Sequence, residues 1–568
     1  MTISEPTSQN RLVTKKLTVT TNKPIMTRGL LSLAVASSLL LVGCGDDNDS
    51  TTVIEYVTSV EPISAFNKTQ IDTGFVLADT ATPAAKCDIT IEKVSYQTKG
   101  AAGENTNATA ALMLPSGDSA DCQGDRPILL YAHGTTTDKD YDFSQVANPQ
   151  NPAAGEATLI AANFAAQGYI VVAPNYAGYD DSNLDYHPYL VAEQQSTDMI
   201  DALDSARSII DQQQRANNTN YTDISDSGEL FLSGYSQGGY VAMATARQLE
   251  QDNRSVTAIA PLSGPYALAA FGDAIFLGNV NIGATRFAPL LATGLQKKYG
   301  NLYRNTTEIF TANYANTQLP SLLSFAELVQ ANQLPDNALF EAKPTNNSVI
   351  DNLPISELFF AFLGFDDENY LIRTDFRAAY VADSLQNPDG LVPEITNGLT
   401  AANPKNNLRK ALKDNDLRGY VPTMPTLLCG GNQDPTVFYD LNTGSMSAIL
   451  QQLSAQNPQA KLNISVLDVD ATNTASRPDQ MTFTMIGGAS MNQWDANTVV
   501  TDVQSRFANT YQQISTAAYT QALDAGLSSE QAQQAAAATI LARYHGGLVS
   551  SACTNATRQF FDQEFTQS

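Results

Sequence analysis

Residues 230–239 read LFLSGYSQGG, and the fold is best inferred by starting from them. The first residues are an apolar run typical of a buried strand, and an alanine-rich stretch typical of a helix follows Ser236. A tight turn between a strand and a helix needs small residues at its flanks, which Gly234 and Gly238 supply. We therefore predict a strand, a sharp turn and a helix, with the Ser236 side chain presented above the sheet as a nucleophile.

Strand and helix candidates alternate on both sides of this turn. Most strand candidates are continuous apolar runs, which are typical of parallel strands covered on both faces of a sheet. Between residues 193 and 213, apolar side chains recur at helical spacing. This alternation predicts a mostly parallel sheet. Its strand candidates are residues 89–96, 110–114, 127–132, 169–174, 229–233, 256–262, 424–429 and 462–469.

The alternation is interrupted twice. It breaks near Pro265 and resumes only at residues 424–429, and the intervening residues contain helical, aromatic pieces such as LFFAFL at 358–363. A structureless loop of that length is improbable inside a compact domain, so we predict a helical insertion. A second, mostly helical stretch follows the strand candidate at 462–469 and runs to Tyr544.

The base and the acid that would serve Ser236 are few in number. A serine hydroxyl is a poor nucleophile near neutral pH and needs a base at hydrogen-bond distance. The candidate base is His545, if the acid and the histidine follow the serine along the chain. Of the three histidines in the sequence, only His545 comes after Ser236. The acid that orients the histidine is expected just after a strand, where CGGNQDPTV at 429–437 supplies Asp434. Asp468 and Asp470, after the next strand candidate, remain rival acids.

A serine that attacks a carbonyl group generates an oxyanion, which needs preorganised N–H donors. The backbone N–H of Gln237, directly after the nucleophile, is one predicted donor. The other is the backbone N–H of Thr135 in the loop after residues 127–132, with Thr136 as the alternative. His133 in the same loop is expected to brace the loop and not to transfer protons.

Several motifs stand in a familiar order along the chain: YAHG at 131–134, APNYAGY at 173–179, HPYL at 187–190, the turn at Ser236, then Asp434 and His545. Together they resemble the α/β-hydrolases, and the HPYL segment is similar to secretory-lipase-like esterases. The resemblance implies a mostly parallel central sheet flanked by helices, with a large helical cap or lid inserted after the sixth strand. It also implies hydrolysis of carboxylic esters by a Ser-Asp-His triad through an acyl-enzyme, with no cofactor.

The resemblance leaves two features to be accommodated. Asp434 and His545 are more than a hundred residues apart, which requires an extra inserted segment before the histidine loop. His187 in such proteins is structural or lines the pocket, and no catalytic role is expected for it.

The length of 568 residues exceeds what one hydrophobic core usually serves. We expect a signal peptide over residues 1–43, a flexible tether over 44–80 and the first part of the α/β-hydrolase core over 81–265. The cap is expected over 266–420. The second part of the core, with its further helical insertion, is expected over 421–568.

Charge and composition argue against two classes of partner. The net charge is −26, whereas binding to nucleic acid requires Lys and Arg to neutralise phosphates, so no nucleic-acid partner is expected. The cysteine spacing matches no metal-ligand pattern and histidines are scarce, so no metal site is expected. The expected substrate is a small-molecule or lipid ester. An exported serine peptidase on the same fold and a non-catalytic, surface-binding lipoprotein are the alternatives.

The N-terminal residues are typical of an export signal. Basic residues precede an apolar run over residues 30–42, which is too short to span a membrane comfortably and ends in LVGC at 41–44. This resembles a bacterial lipoprotein signal, in which cleavage before Cys44 leaves that cysteine to carry lipid. The protein would then be exported and anchored by lipid in the bacterial cell envelope. An ordinary cleaved signal peptide and an uncleaved anchor are the alternatives, and both also imply export.

Export changes the interpretation of the remaining cysteines. Cys87, Cys122, Cys429 and Cys553 are an even number, which in an oxidising compartment predicts disulfides. Four cysteines allow three pairings. We favour Cys87 with Cys122, both in the first part of the fold, and Cys429 with Cys553, which would tie the loops of the predicted acid and base.

The signal predicts that Cys44 carries lipid. In a bacterial host that processes lipoproteins, the wild-type protein should incorporate a fatty-acid analogue and Cys44→Ser should not, because the substitution removes the acceptor thiol. Metabolic labelling with in-gel detection, at expression levels matched by immunoblot, measures this. Equal labelling of both proteins would mean that the apolar segment is an ordinary signal or a membrane helix.

Overall fold

A ten-stranded sheet organises the structure, which is a computed structural model that describes residues 58–75, 82–389, 403–457, 459, 461–472, 482–487 and 496–565. The strands in chain order are β1 (Ser59–Phe66), β2 (Asp88–Lys99), β3 (Asn105–Ser116), β4 (Gly124–Ala132), β5 (Ile170–Pro174), β6 (Ile224–Tyr235), β7 (Ala258–Leu262), β8 (Phe340–Glu341), β9 (Phe365–Asp366), β10 (Thr426–Gly430), β11 (Asn463–Asp468) and β12 (Phe483–Gly487). Strands β8 and β9 form a separate parallel pair.

The helices surround this sheet and fill its long connections. In chain order they are α1 (Lys68–Gly74), α2 (Ala154–Asn163), α3 (Ala192–Arg215), α4 (Gln237–Gln251), α5 (Leu268–Leu277), α6 (Ala284–Tyr299), α7 (Phe325–Gln330), α8 (Ser348–Asp351), α9 (Thr374–Gln386), α10 (Asn407–Asp414), α11 (Ser445–Gln456), α12 (Ala496–Asp524), α13 (Ser529–Arg543) and α14 (Ser550–Phe565). None of the described helices is both long enough and apolar enough to cross a membrane.

The strand order is β1-β2-β3-β5-β4-β6-β7-β10-β11-β12. The central strands β5, β4, β6, β7, β10 and β11 are parallel to one another. Antiparallel strands flank them at both edges, with β1, β2 and β3 on one side and β12 on the other. The prediction of a mostly parallel sheet flanked by helices is confirmed.

The apolar runs of the sequence form the central strands because both faces of the sheet are covered. Every residue of β5, β7 and β10 is buried. Successive side chains of a strand point to opposite faces, so burial of all of them requires cover on both. Helices α3, α4 and α14 pack against strands of this central region.

The N-terminal edge of the sheet departs from the prediction. The tether expected over residues 44–80 contains β1 and α1, and β1 pairs antiparallel with β2. The register shifts between Pro62 and Ser64, and a proline without an N–H is tolerated in such an edge strand. The strand was missed because its residues are only partly buried and so lack a clear apolar alternation. The predicted signal peptide and Cys44 lie outside the described residues.

The segment between β7 and β10 forms the predicted helical insertion. Its described residues contain α5 to α10 and the pair β8–β9. Buried ion pairs connect these elements: Arg409 of α10 contacts Asp273 of α5 at 2.6 Å and Asp383 of α9 at 2.9 Å. Arg418, which is fully buried, contacts Asp389 at 2.7 Å. Removing one partner from such a pair leaves an uncompensated buried charge, which destabilises the fold.

A second helical segment separates the sheet from His545. Helices α12 and α13 follow β12 and pack against each other, and α13 begins with a capping box formed by Ser528 and Gln531. Helix α13 ends at Arg543, and a π-helical turn over Tyr544–Val549 leads from it into α14. His545 therefore lies in an irregular turn between two helices.

Two disulfides join distant segments, and both are the pairs expected from the sequence. Cys87 is bonded to Cys122, 35 residues away. Cys429 in β10 is bonded to Cys553 in α14, 124 residues away. The second bond joins the strand that precedes Asp434 to the helix that follows His545.

Removal of the Cys429–Cys553 bond should destabilise the fold, because the bond closes a loop of 124 residues. In the chain-entropy model a loop of this length corresponds to ~5 kcal/mol of unfolding free energy. Urea unfolding followed by circular dichroism should show this loss in Cys429→Ala/Cys553→Ala. The matched variant Cys87→Ala/Cys122→Ala opens a loop of 35 residues and should lose ~4 kcal/mol. An unchanged urea midpoint in the first variant would contradict the assignment of a structural role to that bond.

Candidate active site

Ser236 lies at the turn between β6 and α4. Its φ of 59° is in the left-handed region, which residues other than glycine seldom adopt, and its N–H donates to the carbonyl of Leu262 at 2.9 Å. A Cβ atom added at Gly234 would lie 2.5 Å from the carbonyl oxygen of Ala132, and one added at Gly238 would lie 1.9 Å from the same oxygen. The backbone segments approach so closely here that both positions require glycine. The predicted strand, sharp turn and helix are confirmed.

His545 and Asp434 are in direct contact. The Nδ1 atom of His545 lies 2.6 Å from Oδ2 of Asp434, although 111 residues separate them in the chain. Asp434 is buried, and its Oδ1 accepts hydrogen bonds from the backbone N–H groups of Thr436 at 2.9 Å and Val437 at 3.0 Å. These bonds fix the carboxylate and direct its second oxygen toward the histidine ring.

Tyr235 also contacts His545, a role that was not predicted. Its hydroxyl donates to the backbone carbonyl of His545 at 2.5 Å and lies 3.2 Å from Nδ1 of the same residue. Because Tyr235 directly precedes Ser236, this contact ties the histidine turn to the turn at Ser236. The G-x-S-x-G pattern leaves the position unspecified, so the sequence carried no signal for it.

One cavity is lined by Ser236, His545, Gly134, Thr135 and Tyr235, among others. The Nε2 atom of His545 is buried and has no hydrogen-bond partner in the described part of the chain. Asp434 engages Nδ1, so Nε2 is the ring atom left for proton transfer.

The loop after β4 brings Thr135 to the same cavity. Among the described residues, the backbone N–H groups of Thr135 and Gln237 have no hydrogen-bond acceptor. Gln237 is the first residue of α4, where N–H groups lack intrahelical partners and the helix dipole is positive. Thr136, the alternative donor, bonds Asp138 at 3.1 Å through its hydroxyl. The arrangement leaves two free N–H donors beside cavities that Ser236 lines.

Glu156 of α2 fixes this loop and was not predicted. Its carboxylate accepts hydrogen bonds from the N–H of Gly134 at 3.0 Å and from the hydroxyls of Tyr131 at 2.8 Å and Tyr141 at 3.2 Å. Withdrawal of the carboxyl group from water raises the pKa of Glu156 above its usual range. The donors come from both strand and loop, so no local pattern in the sequence marks this residue.

The other two histidines support the backbone. The ring nitrogens of His133 lie 2.7 Å and 3.1 Å from the carbonyl oxygens of Gly134 and Asn175, consistent with the expected bracing role. His187 is buried, and its Nε2 accepts a hydrogen bond from the side-chain amide of Gln237 at 2.6 Å. Burial lowers the pKa of His133 to about 4 and that of His187 to about 3, so both rings are neutral near pH 7.

A second cavity, which Ser236 and Gln237 also line, is almost wholly apolar. Most of its wall comes from helices of the insertion between β7 and β10. These side chains include Leu268, Phe271, Ile275 and Phe276 of α5, Ala288 and Leu291 of α6, and Leu408 and Leu412 of α10. This lining favours an apolar group beside Ser236, whereas charged groups would lose their hydration there.

Asp468 and Asp470, the rival acids, make hydrogen bonds to groups other than His545. The Asp468 carboxylate accepts hydrogen bonds from the backbone N–H and the side-chain amide of Asn432, at 3.1 Å and 2.8 Å, and from the N–H of Asp470 at 3.0 Å. Within the described residues neither carboxylate hydrogen-bonds His545, whose ring contacts Asp434 instead.

Comparison with known proteins gives matches at the level of structure. No protein-family model matches the sequence, and a search of curated proteins finds no match. The rice cell wall degrading esterase LipA from Xanthomonas oryzae is 25% identical with a TM-score of 0.55, over 73% of this chain and 91% of that protein. A ligand-bound form of the same esterase is 23% identical with a TM-score of 0.55, over 79% of this chain and 96% of that one. Lipase A from Candida antarctica is 14% identical with a TM-score of 0.40, over 78% and 93%.

The likeness to LipA and the sheet topology define the fold. The chain has the α/β-hydrolase fold, with a mostly parallel central sheet, flanking helices and a helical cap inserted after β7. The expected fold class is confirmed.

The environment of Asp468 predicts a pH-dependent stability. Burial raises the pKa of Asp468 to about 7, so the folded protein keeps a proton there that the unfolded chain releases near pH 4. The unfolding free energy should therefore fall as the pH rises from about 4 to about 7, by up to ~4 kcal/mol from this group. Asp468→Asn should remove that part of the slope in urea unfolding at pH 4.5 and pH 7.5.

The exposed Asp524 at the end of α12 offers the matched control. Asp524→Asn should leave the wild-type slope intact. A slope in Asp468→Asn equal to that of the wild type would show that the Asp468 carboxyl group titrates alike in the folded and unfolded chains.

Proposed function

We propose that this protein is a serine hydrolase that cleaves carboxylic esters, with Ser236 as the nucleophile, His545 as the base and Asp434 as the acid that orients it. The observation that carries the proposal is the 2.6 Å contact between Asp434 and His545 beside a cavity that Ser236 lines. An oriented histidine with an unpartnered Nε2 is what a serine hydroxyl needs to become a nucleophile.

The reaction proceeds in two similar halves. Ser236 Oγ attacks the ester carbonyl carbon while its proton passes to Nε2 of His545, and the carbonyl oxygen becomes an oxyanion. The N–H groups of Thr135 and Gln237 stabilise that oxyanion. Collapse of the tetrahedral intermediate breaks the bond to the alcohol oxygen, which receives the proton from His545. A water molecule then attacks the acyl-enzyme in the same way, releasing the acid and restoring Ser236.

The two cavities that meet at Ser236 suit the two halves of an ester. The apolar cavity in the cap favours a hydrocarbon acyl group, because its burial there removes apolar surface from water. The cavity shared with His545 is lined by polar side chains as well, and it accommodates the alcohol and later the water. The likeness to an esterase of 25% identity agrees with this substrate class.

Export and lipid anchoring at Cys44 form part of the same proposal. Disulfides persist in oxidising compartments, and the two bonds Cys87–Cys122 and Cys429–Cys553 agree with a protein of the cell envelope. The basic and apolar residues before Cys44 support transport to that compartment.

Ser236→Ala should abolish ester hydrolysis without unfolding the protein, because the side chain points into the site. Removal of such a nucleophile lowers turnover by a factor of about 10⁶ in related chemistry. The measurement is hydrolysis of p-nitrophenyl esters of increasing acyl length, beside aminoacyl anilides that report peptidase activity. Cleavage of the anilides in preference to the esters would overturn the assignment of substrate class.

A matched control lies in the same segment. Ser233 is buried in β6 and its hydroxyl donates to the Ala260 carbonyl at 2.8 Å, so Ser233→Ala removes a serine hydroxyl outside the site. This variant should keep most of the activity. A folded Ser236→Ala protein that remained as active as Ser233→Ala would refute the proposed nucleophile.

A further inference from the structure

We propose that Tyr544 is a positioning residue, whose hydroxyl group sets the separation between the acid loop and the histidine turn. This inference rests on the proposed function, since it concerns the pair Asp434 and His545. Tyr544 directly precedes His545 in the chain, and Gln433 directly precedes Asp434. A contact between these two neighbours therefore acts within one residue of both members of the pair.

The hydroxyl of Tyr544 makes that contact. Its oxygen accepts a hydrogen bond from the backbone N–H of Gln433 at 3.1 Å, and its proton is donated to Oδ2 of Asp470 at 2.7 Å. The side-chain amide of Gln433 also donates to Oδ2 of Asp470, at 2.9 Å. One oxygen of Asp470 is thus shared by the residue before the acid and the residue before the base.

Asp470 is itself held firmly. It is fully buried, and its Oδ1 accepts hydrogen bonds from the backbone N–H of Thr472 at 2.9 Å and from the Thr472 hydroxyl. The four hydrogen bonds occupy both carboxylate oxygens, and bonds to a charged acceptor are the stronger ones. The Asp470 carboxylate is thus held in place just after β11, and it binds both the loop of Asp434 and the turn of His545.

Packing brings the two loops close enough for these bonds. A Cβ atom at Gly431 would lie 2.9 Å from the Tyr544 hydroxyl and 2.7 Å from a methyl carbon of Val549, so a side chain there would displace one of them. The Tyr544 ring is buried and meets the Phe507 ring of α12 edge to face, with 5.8 Å between centroids. The inserted helices α12 and α13 therefore place Tyr544 beside the loop that contains Asp434 and fix the orientation of its ring.

The rate of catalysis depends steeply on the positions of the reacting groups. A displacement of ~1 Å in a reacting group costs about 10²-fold in rate. The phenylalanine in Tyr544→Phe keeps the ring contacts but breaks both bonds of the hydroxyl. We expect kcat for ester hydrolysis to fall about 10- to 100-fold with KM unchanged, because Tyr544 acts on the acid and base and not on the bound ester.

Tyr511→Phe is the matched control. Tyr511 packs against the same Phe507, at 6.5 Å between ring centroids, and no described residue hydrogen-bonds its hydroxyl. It undergoes the same chemical change in the same aromatic cluster and should keep wild-type kcat. Asp470→Ala provides a second route to the same test should Tyr544→Phe fail to fold, because it removes the shared acceptor and should also lower kcat with KM unchanged.

A spectroscopic measurement tests the geometry without any substrate. The protein has three histidines, so selective ¹⁵N labelling gives few ring signals. The proton between Nδ1 of His545 and Asp434 should resonate far downfield in the wild type and in Tyr511→Phe. It should move upfield or broaden in Tyr544→Phe, because the two loops are no longer held at one separation.

The outcomes separate this inference from the proposed function. An active wild type with kcat and the His545 proton signal unchanged in Tyr544→Phe would overturn the positioning role and leave the ester hydrolase in place. A wild type inactive on every ester would overturn the function, while the proton signal would still decide whether Tyr544 holds Asp434 and His545 together. A rise in KM with unchanged kcat would also contradict the proposal.

Discussion

The hydrogen bond between Asp434 and His545 joins two segments 111 residues apart, and the geometry of the candidate site depends on it. Strands β11 and β12 and helices α12 and α13 lie between the two residues, so local structure cannot fix their separation. Two cross-links do so instead. The disulfide between Cys429 and Cys553 joins the flanking strand and helix, and the Tyr544 hydroxyl joins the adjacent backbone. A covalent and a polar constraint thus act beside one hydrogen-bonded pair.

Ser236, the proposed nucleophile, is placed by the backbone of the parallel sheet. Gly234 and Gly238 allow β6, β4 and α4 to approach within van der Waals contact, and Ser236 adopts a left-handed conformation at the point where they meet. Such strain persists where the surroundings over-determine it. Tyr235 connects this turn to the histidine turn, because its hydroxyl donates a hydrogen bond to the backbone carbonyl of His545. The turn at Ser236 and the turn at His545 are therefore both anchored to the central sheet.

Sequence reasoning predicted the local structure where its signal is local, and it selected a candidate base where the residue type is rare. The apolar run before Ser236 and the glycines beside it predicted the turn, and the scarcity of histidine pointed to His545. It failed where partners meet only in three dimensions. Strand β1 is half-buried at a sheet edge, and Glu156 collects donors from three separate positions. The same reason hid the bond between Tyr544 and Asp470, the latter considered only as a rival acid.

The central claim is that Ser236 is activated by the oriented His545. Its most direct test is reaction of the whole protein with a fluorophosphonate, followed by mass-spectrometric mapping of the adduct. A single adduct is expected on Ser236, in the peptide that contains residues 230–239, and labelling should be lost in His545→Gln because the serine then has no base. An adduct on another residue, or labelling of Ser236 at an equal rate without His545, would contradict the account.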